Sequence, residues 1–444
     1  MSIRLILTHM KPGRRGWFTL TMLTTAFLWG IQFIYQPEAS WLDAVYYYLG
    51  GAGLAQGRGL VDTYIWNYLP PPEAVVHPGF TYWMPLTSFV LSIPMSILGA
   101  DYAAARVVMV AMALGISLLS YGLTRHLGVE HRFALLACLL PPLGGWYGLY
   151  WASTDTFAPY TLVTGLALFV LVRAGKHGAY HAAFAGAAIA LAYLTRVDGI
   201  LILGAAAIFL VMERQGWRRT MRTLGLILTG FLLVAGPWWL RNYAVMGGIL
   251  PGNWLQAVLI TDYNEIFSYD RAITLQTFLA QGWERILSLR LQVAGELLPH
   301  IGESVVWLPF VLVGAIQARH SRLFRGAGIY LVVLFLAMII VFPFPATHNS
   351  FRHSYAALMP FGYAAMVAGV VATARWLGQG LRRQVGAVWR GEALTMGLGL
   401  LVLLVFAILT GQIIAQDPLK GNREQYTWYC QVADELPAGA AVAV

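Results

Sequence analysis

The stretch QPEASWLDAVYYY, residues 36–48, directly follows the first long apolar run of the chain, Trp17 to Tyr35. Its centre is Asp43, a carboxylate placed just past the end of an apolar helix and followed by three tyrosines. Aromatic rings with polar tips favour the depth at which bilayer meets water. The stretch therefore predicts a membrane span followed by an acid at the membrane surface. That acid can act as a general base or can be a solvated loop residue, and the stretch alone leaves both readings open.

The residues around Asp43 also predict a helix from Ser40 to Gln56. Apolar and aromatic residues recur there at three- and four-residue spacing, namely Trp41, Val45, Tyr48, Leu49 and Ala52. A helix with such a stripe is expected to lie flat on the membrane surface. Asp43 would then point upward or inward at the level of the lipid headgroups.

The composition excludes an ordinary soluble protein. Of the 444 residues, 58% are hydrophobic and 11% are charged, and the mean hydropathy is +0.64. The first apolar run is long enough to span a bilayer, and no small-residue cleavage site follows it. We therefore predict an all-α, polytopic membrane protein with an uncleaved first helix, a cytoplasmic N-terminus and a location in the plasma (inner) membrane.

The net charge of +9 does not indicate a nucleic-acid partner, because the basic residues fall in short loops between the apolar runs. Such loops set the orientation of a membrane protein, with lysine and arginine on the cytoplasmic side. The two cysteines, Cys138 and Cys430, lie far apart in the sequence and cannot build a thiolate metal site.

The number of crossings depends on the apolar segment from Pro78 to Gly99, which contains three prolines. If it does not cross, most of the 29 lysines and arginines lie on the cytoplasmic side with the N-terminus. We therefore predict a broken, half-inserted helix there, eleven spans in total and an extracytoplasmic C-terminus. The other predicted spans are 103–123, 133–150, 156–173, 180–195, 199–212, 223–240, 303–318, 326–343, 354–373 and 393–415.

This topology predicts one membrane module, residues 1–415, with two long extracytoplasmic loops at 36–102 and 241–302. Residues 416–444 form an extracytoplasmic tail that ends in LPAGAAVAV, which reads like the first strand of a truncated C-terminal domain.

Ionisable residues gather at the predicted outer ends of the spans, where burial without a partner is costly. They are His77, Arg106, Asp155, Arg196, Asp198, Arg241, Arg352 and His353. Arginine binds phosphate oxygens bidentately, and a carboxylate can accept a proton from an attacking hydroxyl. Such a set suits a reaction between a lipid phosphate and a polar acceptor.

Each of these residues also has a purely structural interpretation. Arg196 and Asp198 can form a salt bridge that closes a tight turn, and Asp155 can cap the following helix. His348 and His353 are five residues apart, which is not the spacing of a metal pair on a helix. The glycines at 50–59 resemble a nucleotide loop, but no strand precedes them.

Seven segments, in order, resemble motifs of the GT-C superfamily of membrane glycosyltransferases, in the branch of the protein O-mannosyltransferases and lipid A aminoarabinose transferases. They are Asp43-Ala-Val-Tyr-Tyr, His77-Pro-Gly-Phe, Ala105-Arg106, Thr154-Asp155-Thr156, Leu194-Thr-Arg-Val-Asp-Gly199, Pro237-Trp-Trp-Leu-Arg-Asn-Tyr243 and Arg352-His-Ser-Tyr355 with Pro360.

The resemblance implies transfer of a sugar from a polyprenyl-phosphate donor to a hydroxyl or amine of a protein, lipid or glycan at the outer membrane face. It implies Asp43 and Asp155 as catalytic acids. Binding of the donor or acceptor falls to His77, Arg106, Arg196, Asp198, Arg241, Arg352, His353 and Tyr355. With a monophosphate donor these cations make a metal cofactor unnecessary, although a divalent ion is compatible with the site.

The sequence departs from the family at two positions. The paired Asp-Glu of the mannosyltransferases is Asp43-Ala44 here, and the Glu that precedes Lys-Pro in the aminoarabinose enzymes is Val76. The resemblance therefore does not define the sugar, or a metal ligand at the second acid. A transporter or flippase of lipid-linked saccharides, which binds the headgroup without chemistry, is the main alternative, and an inactive scaffold is another.

Overall fold

The computed structural model describes residues 12–36, 38–39, 41–64, 76–175, 178–250, 254–261, 265, 273–301, 308–342, 350–385, 391–417, 419–420 and 424. In these ranges the chain consists of helices joined by turns and loops, with one short two-stranded ribbon. The predicted all-α membrane fold is thus confirmed.

The first half of the bundle consists of α1 Pro12–Tyr35, α2 Leu42–Ala55, β1 Val61–Asp62, β2 His77–Pro78, α3 Leu86–Leu98, α4 Tyr102–His126, α5 His131–Ala134, α6 Leu136–Leu139, α7 Trp146–Ala152 and α8 Phe157–Ala174. The second half consists of α9 Ala179–Thr195, α10 Leu201–Met212, α11 Trp217–Met246, α12 Trp254–Leu259, α13 Leu275–Leu279, α14 Trp283–Ile301, α15 Leu308–Ala318, α16 Arg322–Ile340, α17 Phe351–Tyr355, α18 Met359–Val385 and α19 Gly391–Ala415. Short 3-10 turns occur at Pro141–Leu143, Val197–Ile200 and Ala356–Leu358.

The predicted count of eleven spans is not confirmed. Among the described residues, seven helices are long and apolar enough to cross a membrane, or eight if α5 to α7, which bend by 78° at a break, count as one span. Helices α3, α9, α10 and α15 are apolar but only 10–17 residues long, and a span needs about 20 residues. The length of α3 agrees with the prediction that Pro78 to Gly99 does not cross.

The basic loops contact one another at one end of the bundle. Arg132 pairs with Glu392 at 2.6 Å, and Arg375 pairs with Glu130 at 3.4 Å. At the same end, the guanidinium of Arg322 donates to the carbonyl of Val172 in the last turn of α8. Asp155 precedes the first turn of that helix, so the predicted outer acids lie at the opposite end. The structure therefore separates the two sets of charges as the sequence predicted.

The crossing of α9 with α11 depends on two glycines. Where α9 crosses α11, a Cβ added to Gly186 would lie 1.8 Å from the carbonyl oxygen of Ile227, and one added to Gly230 would lie 1.9 Å from that of Ala183. Backbone atoms cannot move aside, so only glycine permits this approach. Small residues at a helix interface allow such close packing within membranes, and here they hold α9 firmly against α11.

Helix α2 is a short helix at the end of the bundle that holds Asp155, and except at Ala52 it does not bury the predicted stripe. Its buried residues include Ala44, Tyr46 and Tyr47, whereas Val45 and Tyr48 of the predicted stripe are only partly buried. The predicted stripe assumed that lipid covers the helix. In the structure protein covers it, because α2 packs along α3 and beside the ribbon.

Candidate active site

Asp43 and Asp155 come together because α2 is tied to the loop between α7 and α8. Asp43 lies in the first turn of α2. The hydroxyl of Thr154 donates to the carbonyl of Ala44 at 2.7 Å, across 110 residues of sequence. On its other side α2 approaches α3 closely at Gly50, where a Cβ would lie 2.8 Å from the hydroxyl of Ser88. These contacts fix both the position and the rotation of the helix that carries Asp43.

His353 joins the two acids. Its Nε2 atom lies 3.5 Å from a carboxylate oxygen of Asp43 and 3.4 Å from one of Asp155. The side chains of Asp43 and His353 are about a quarter exposed, at 24% and 25%, whereas that of Asp155 is 3% exposed. Asp155 is therefore the buried member of this triad, and Asp43 and His353 are its accessible members.

The two acids differ in their electrostatic surroundings. Burial, together with the charge of Asp155, raises the pKa of Asp43 to about 6. Burial opposes ionisation of Asp155 too, but His353, the backbone N–H of Thr156 and Arg196 together hold the pKa of Asp155 below its ordinary value. Asp155 is thus a fixed negative charge, while Asp43 exchanges a proton near neutral pH, as a general base requires.

A buried network lies behind the acids. Arg196 and Asp198 form a salt bridge at 3.2 Å, and both side chains are almost fully buried. The hydroxyl of Ser354 contacts both partners, and Arg196 donates to the hydroxyl of Thr156 at 3.3 Å. The network therefore links the residue after Asp155 to the residue after His353. The salt bridge that the sequence left as an alternative is present, so Arg196 faces the buried network.

An aromatic wall packs against the triad. The ring of His353 stacks on Phe157 with centroids 4.4 Å apart, and Phe157 stacks on Tyr150 at 4.5 Å. Trp41 packs against Tyr150 at 5.0 Å. This row of rings fixes the imidazole plane and leaves Nε2 directed at the acids.

Arg352 and Tyr355 flank His353 on α17. The guanidinium of Arg352 donates to the hydroxyl of Tyr150 at 3.4 Å, so it lies at the same aromatic wall. Tyr355 stacks on Phe351 and meets Tyr147 edge to face. The structure thus brings Asp43, Asp155 and α17 together at one place.

His77 and Arg241 belong to a neighbouring cluster around the ribbon. The ring of His77 contacts the carbonyls of Pro78 and Tyr64, and Arg241 donates to the carbonyl of Gly79 at 2.6 Å. Beside them lies the buried carboxylate of Asp62, which accepts hydrogen bonds from Tyr46 and Tyr64. The hydroxyl of Tyr46 also accepts a hydrogen bond from the backbone N–H of Phe80. Because Tyr46 belongs to α2, this cluster joins the ribbon to α2.

The guanidinium of Arg106 is directed at backbone carbonyls and not at Asp43, Asp155 or His353. Arg106 is 1% exposed, and its guanidinium donates to the carbonyls of Phe33, Gln36 and Ala152. It thereby joins the end of α1 to the end of α7. Carbonyls at helix ends need hydrogen-bond donors. These bonds therefore explain why a buried arginine is present here without a bound ligand.

Several residues of the site were missed from the sequence. Ser354 and Thr156 each follow a predicted residue, but a serine or threonine in an apolar chain carries no signal of its own. Asp62 is a lone acid between tyrosines and glycines, and only the pairing of Asp62 with His77 in the ribbon shows its neighbours. Asp155 does not cap α8, because the cap position is Thr156, without a side-chain capping bond.

Asp43, Asp155 and His353 also form a group that could hold a metal ion. One ligand atom from each lies within 4.8 Å of the others. Two carboxylates and an imidazole are common ligands of divalent ions, so these residues fit such an ion. The alternative partner considered for His353, His348, lies outside the described residues.

The comparisons with known proteins agree with this architecture. The family model described as dolichyl-phosphate-mannose-protein mannosyltransferase matches residues 76–240. That range begins just before the ribbon strand at His77 and ends at Leu240, next to Arg241. No curated protein matches the sequence.

Several solved structures share the fold. ArnT from Cupriavidus metallidurans bound to undecaprenyl phosphate aligns with a TM-score of 0.57 and 16% identity, over 91% of this chain and 72% of that one. The oligosaccharyltransferase AglB from Archaeoglobus fulgidus, in complex with an inhibitory peptide and a dolichol-phosphate, aligns at 0.52 and 15% identity, over 91% of this chain and 56% of that one. A structure of the Archaeoglobus fulgidus oligosaccharyltransferase with Zn and sulfate aligns at 0.52 and 13% identity, over 89% and 53%.

These matches show the fold: the chain folds as ArnT and the oligosaccharyltransferase AglB do. Together with the match of residues 76–240 to the mannosyltransferase family model, they support the resemblance to GT-C membrane glycosyltransferases seen in the sequence. The chain spans little more than half the length of the oligosaccharyltransferases that it matches.

Proposed function

We propose that the chain transfers a sugar from a polyprenyl-phosphate donor to a hydroxyl or amine at the extracytoplasmic membrane face. The observation that carries this proposal is the close approach of Asp43, Asp155 and His353, with Nε2 of His353 within 3.5 Å of both carboxylates. A carboxylate whose pKa is raised to about 6, beside a second that stays ionised, is the arrangement that proton transfer near neutral pH requires. The GT-C fold supports the same reaction class.

The proposed reaction is a displacement at the anomeric carbon. The acceptor oxygen or nitrogen forms a bond to that carbon while the bond from the carbon to the phosphate oxygen breaks, and the electron pair leaves with the polyprenyl phosphate. Asp43 takes the proton that the acceptor loses. Asp155, the buried member of the triad, is held ionised and orients the acceptor or the sugar.

The leaving phosphate needs positive charge. Arg352 lies at the aromatic wall beside His353, and we assign it to the phosphate, because arginine binds phosphate oxygens bidentately. Arg241 and His77, in the neighbouring ribbon cluster, are assigned to the donor headgroup. Arg196 is assigned a positioning role, since its guanidinium is taken up by Asp198, Ser354 and Thr156.

An apolar groove of about 280 Å³ supports a lipid donor. It runs from Tyr355 along Leu358 and Met359 of the 3-10 turn and α18 toward Leu331 of α16. Apolar side chains of this kind can receive a polyprenyl chain, and Tyr355 lies only two residues from His353. The phosphate of the donor would therefore bind at Arg352 and its polyprenyl tail in the groove, both close to the two acids.

A divalent ion bound by Asp43, Asp155 and His353 would supply positive charge at the leaving phosphate, and Asp43 would then be a ligand of the ion in place of the base. Removal of metal by a chelator, followed by a donor-binding measurement, tests whether the triad holds an ion. Bound metal in the wild type that is absent from His353→Ala would support it.

The proposed function is tested with Asp43→Asn in purified full-length protein, by measuring donor binding and sugar transfer separately. We expect binding to be kept and transfer to be lost. Undiminished transfer would exclude Asp43 as the base. A wild type that binds lipid-linked sugars but transfers none to any acceptor in a membrane extract would indicate a transporter instead.

A further inference from the structure

A second groove opens between α10, α15, α16 and α18, and its volume is about 490 Å³. Its lining is apolar and partly made of small residues, including Ile208, Ala315, Gly328, Val332 and Ala365. Ile208 is 45% exposed and Val332 is 57% exposed. Since these helices lie in the membrane bundle, such apolar surfaces open toward lipid tails, and the groove has the size of a small-molecule pocket.

The charged mouth of this groove lies at the membrane face opposite the candidate active site. Helix α8 begins two residues after Asp155 and has 18 residues, which corresponds to about 27 Å. At its far end, Arg322 donates to the carbonyl of Val172 at 2.7 Å. Arg319 and Arg325 line the groove close to this point. The groove therefore cannot share a phosphate with the site at Asp43.

The mouth has an excess of positive charge. Glu213 pairs with Arg322 at 2.5 Å and with Arg325 at 3.3 Å. Arg319 is exposed and donates to the ring of His320. Among the ion pairs of the described residues, Glu213 is the acid that pairs with the arginines of the mouth. One carboxylate therefore faces the three guanidinium groups of Arg319, Arg322 and Arg325.

We propose that this groove binds an anionic phospholipid of the bilayer, with an acyl chain along Gly328 and Val332 and the phosphate between Arg319 and Arg325. Guanidinium groups bind phosphate in paired hydrogen bonds. Basic pockets between membrane helices on the cytoplasmic side recognise anionic headgroups in this way. The lipid would hold α16 against α10 and α18, independently of any transfer chemistry.

The test is native mass spectrometry of the purified full-length chain, mixed with equal amounts of phosphatidylglycerol and phosphatidylcholine. We expect the wild type to retain phosphatidylglycerol preferentially. Replacing both mouth arginines, as Arg319→Gln with Arg325→Gln, should weaken phosphatidylglycerol binding by roughly thirtyfold, because each arginine near a headgroup contributes roughly a fivefold factor. The matched control is Arg218→Gln with Arg222→Gln, two exposed arginines on α11 outside the groove.

A second variant tests the groove itself without changing charge. A Cβ added to Gly328 meets no atom within 4 Å, so the side chain of Gly328→Leu starts in open space and should occupy part of the groove. It should lose phosphatidylglycerol while its thermal stability in lipid-free detergent stays that of the wild type. Equal retention of both lipids by the wild type, or full retention by the double arginine variant, would overturn the proposal. A change of oligomeric state in the same spectra on arginine replacement would overturn it too, because a second copy would then cover the groove.

Discussion

Replacing Asp43 by asparagine should make the protein more stable at neutral pH, although it removes a contact with His353. The pKa of Asp43 is about 6 in the folded protein, against an ordinary value of 3.8. The folded state thus prefers the protonated acid, and its ionisation costs stability. The difference between about 6 and 3.8 corresponds to roughly 3 kcal/mol at pH 7.5, at about 1.4 kcal/mol for each pH unit.

Because the folded state favours the protonated form of Asp43, the free-energy cost of its ionisation depends on pH. The cost is absent well below pH 3.8, grows as the pH rises toward 6 and is constant above that value. Asparagine carries no charge at any pH, so its stabilisation should fall to less than about 1 kcal/mol at pH 4. For a chain of 444 residues, roughly 3 kcal/mol at pH 7.5 is a rise of about 3 °C in Tm.

The assay is thermal unfolding in detergent at several pH values, with Glu284→Gln as the control. Glu284 lies exposed in the first turn of α14, and its replacement should change Tm little at any pH. A structural salt bridge between Asp43 and His353 predicts the opposite sign. Loss of stability in Asp43→Asn at pH 7.5, or a gain that does not vary with pH, would refute the reasoning.

Three further predictions follow from the same contacts. Asp155→Asn should destabilise the protein at neutral pH, because the folded state lowers the pKa of this acid; thermal unfolding should show the difference from wild type shrinking as the pH falls through that lowered value. Gly230→Ala should cost several kcal/mol of unfolding free energy in denaturant titration, since the new Cβ meets the backbone of Ala183, whereas Gly236→Ala on the same helix meets no atom within 4 Å and should be nearly neutral. The rate of sugar transfer should rise about tenfold per pH unit below pH 6 and level off above it, because Asp43 must be ionised to accept a proton; a flat profile between pH 5 and 8 would contradict that role.

The charge pattern could be predicted from sequence because membranes restrict it so strongly. Basic loops and outer acids segregate along the chain, and Asp43 and Asp155 could be recognised at the ends of apolar runs. The number of spans could not be counted in this way. The short helix Ala179–Thr195 is apolar and largely buried by protein, whereas the equally apolar Leu308–Ala318 is mostly exposed, and hydropathy does not distinguish protein from lipid.

The site itself depends on contacts that no local pattern reveals. His353 lies between Asp43 and Asp155 although about 200 residues or more separate it from either. Arg196 and Arg106 look alike in the sequence as arginines at span ends. In the structure Arg196 supports the loop of Asp155 and α17, while Arg106 joins helix ends through backbone carbonyls. Only the packing distinguishes these roles.

The most direct test is to identify the lipid-linked sugar that co-purifies with the full-length chain, and to compare the wild type with Asp43→Asn. If Asp43 is the base, the variant should accumulate an intact polyprenyl-phosphate sugar, and the wild type should release polyprenyl phosphate when membrane extract is added as acceptor. Equal release by both proteins would contradict the account.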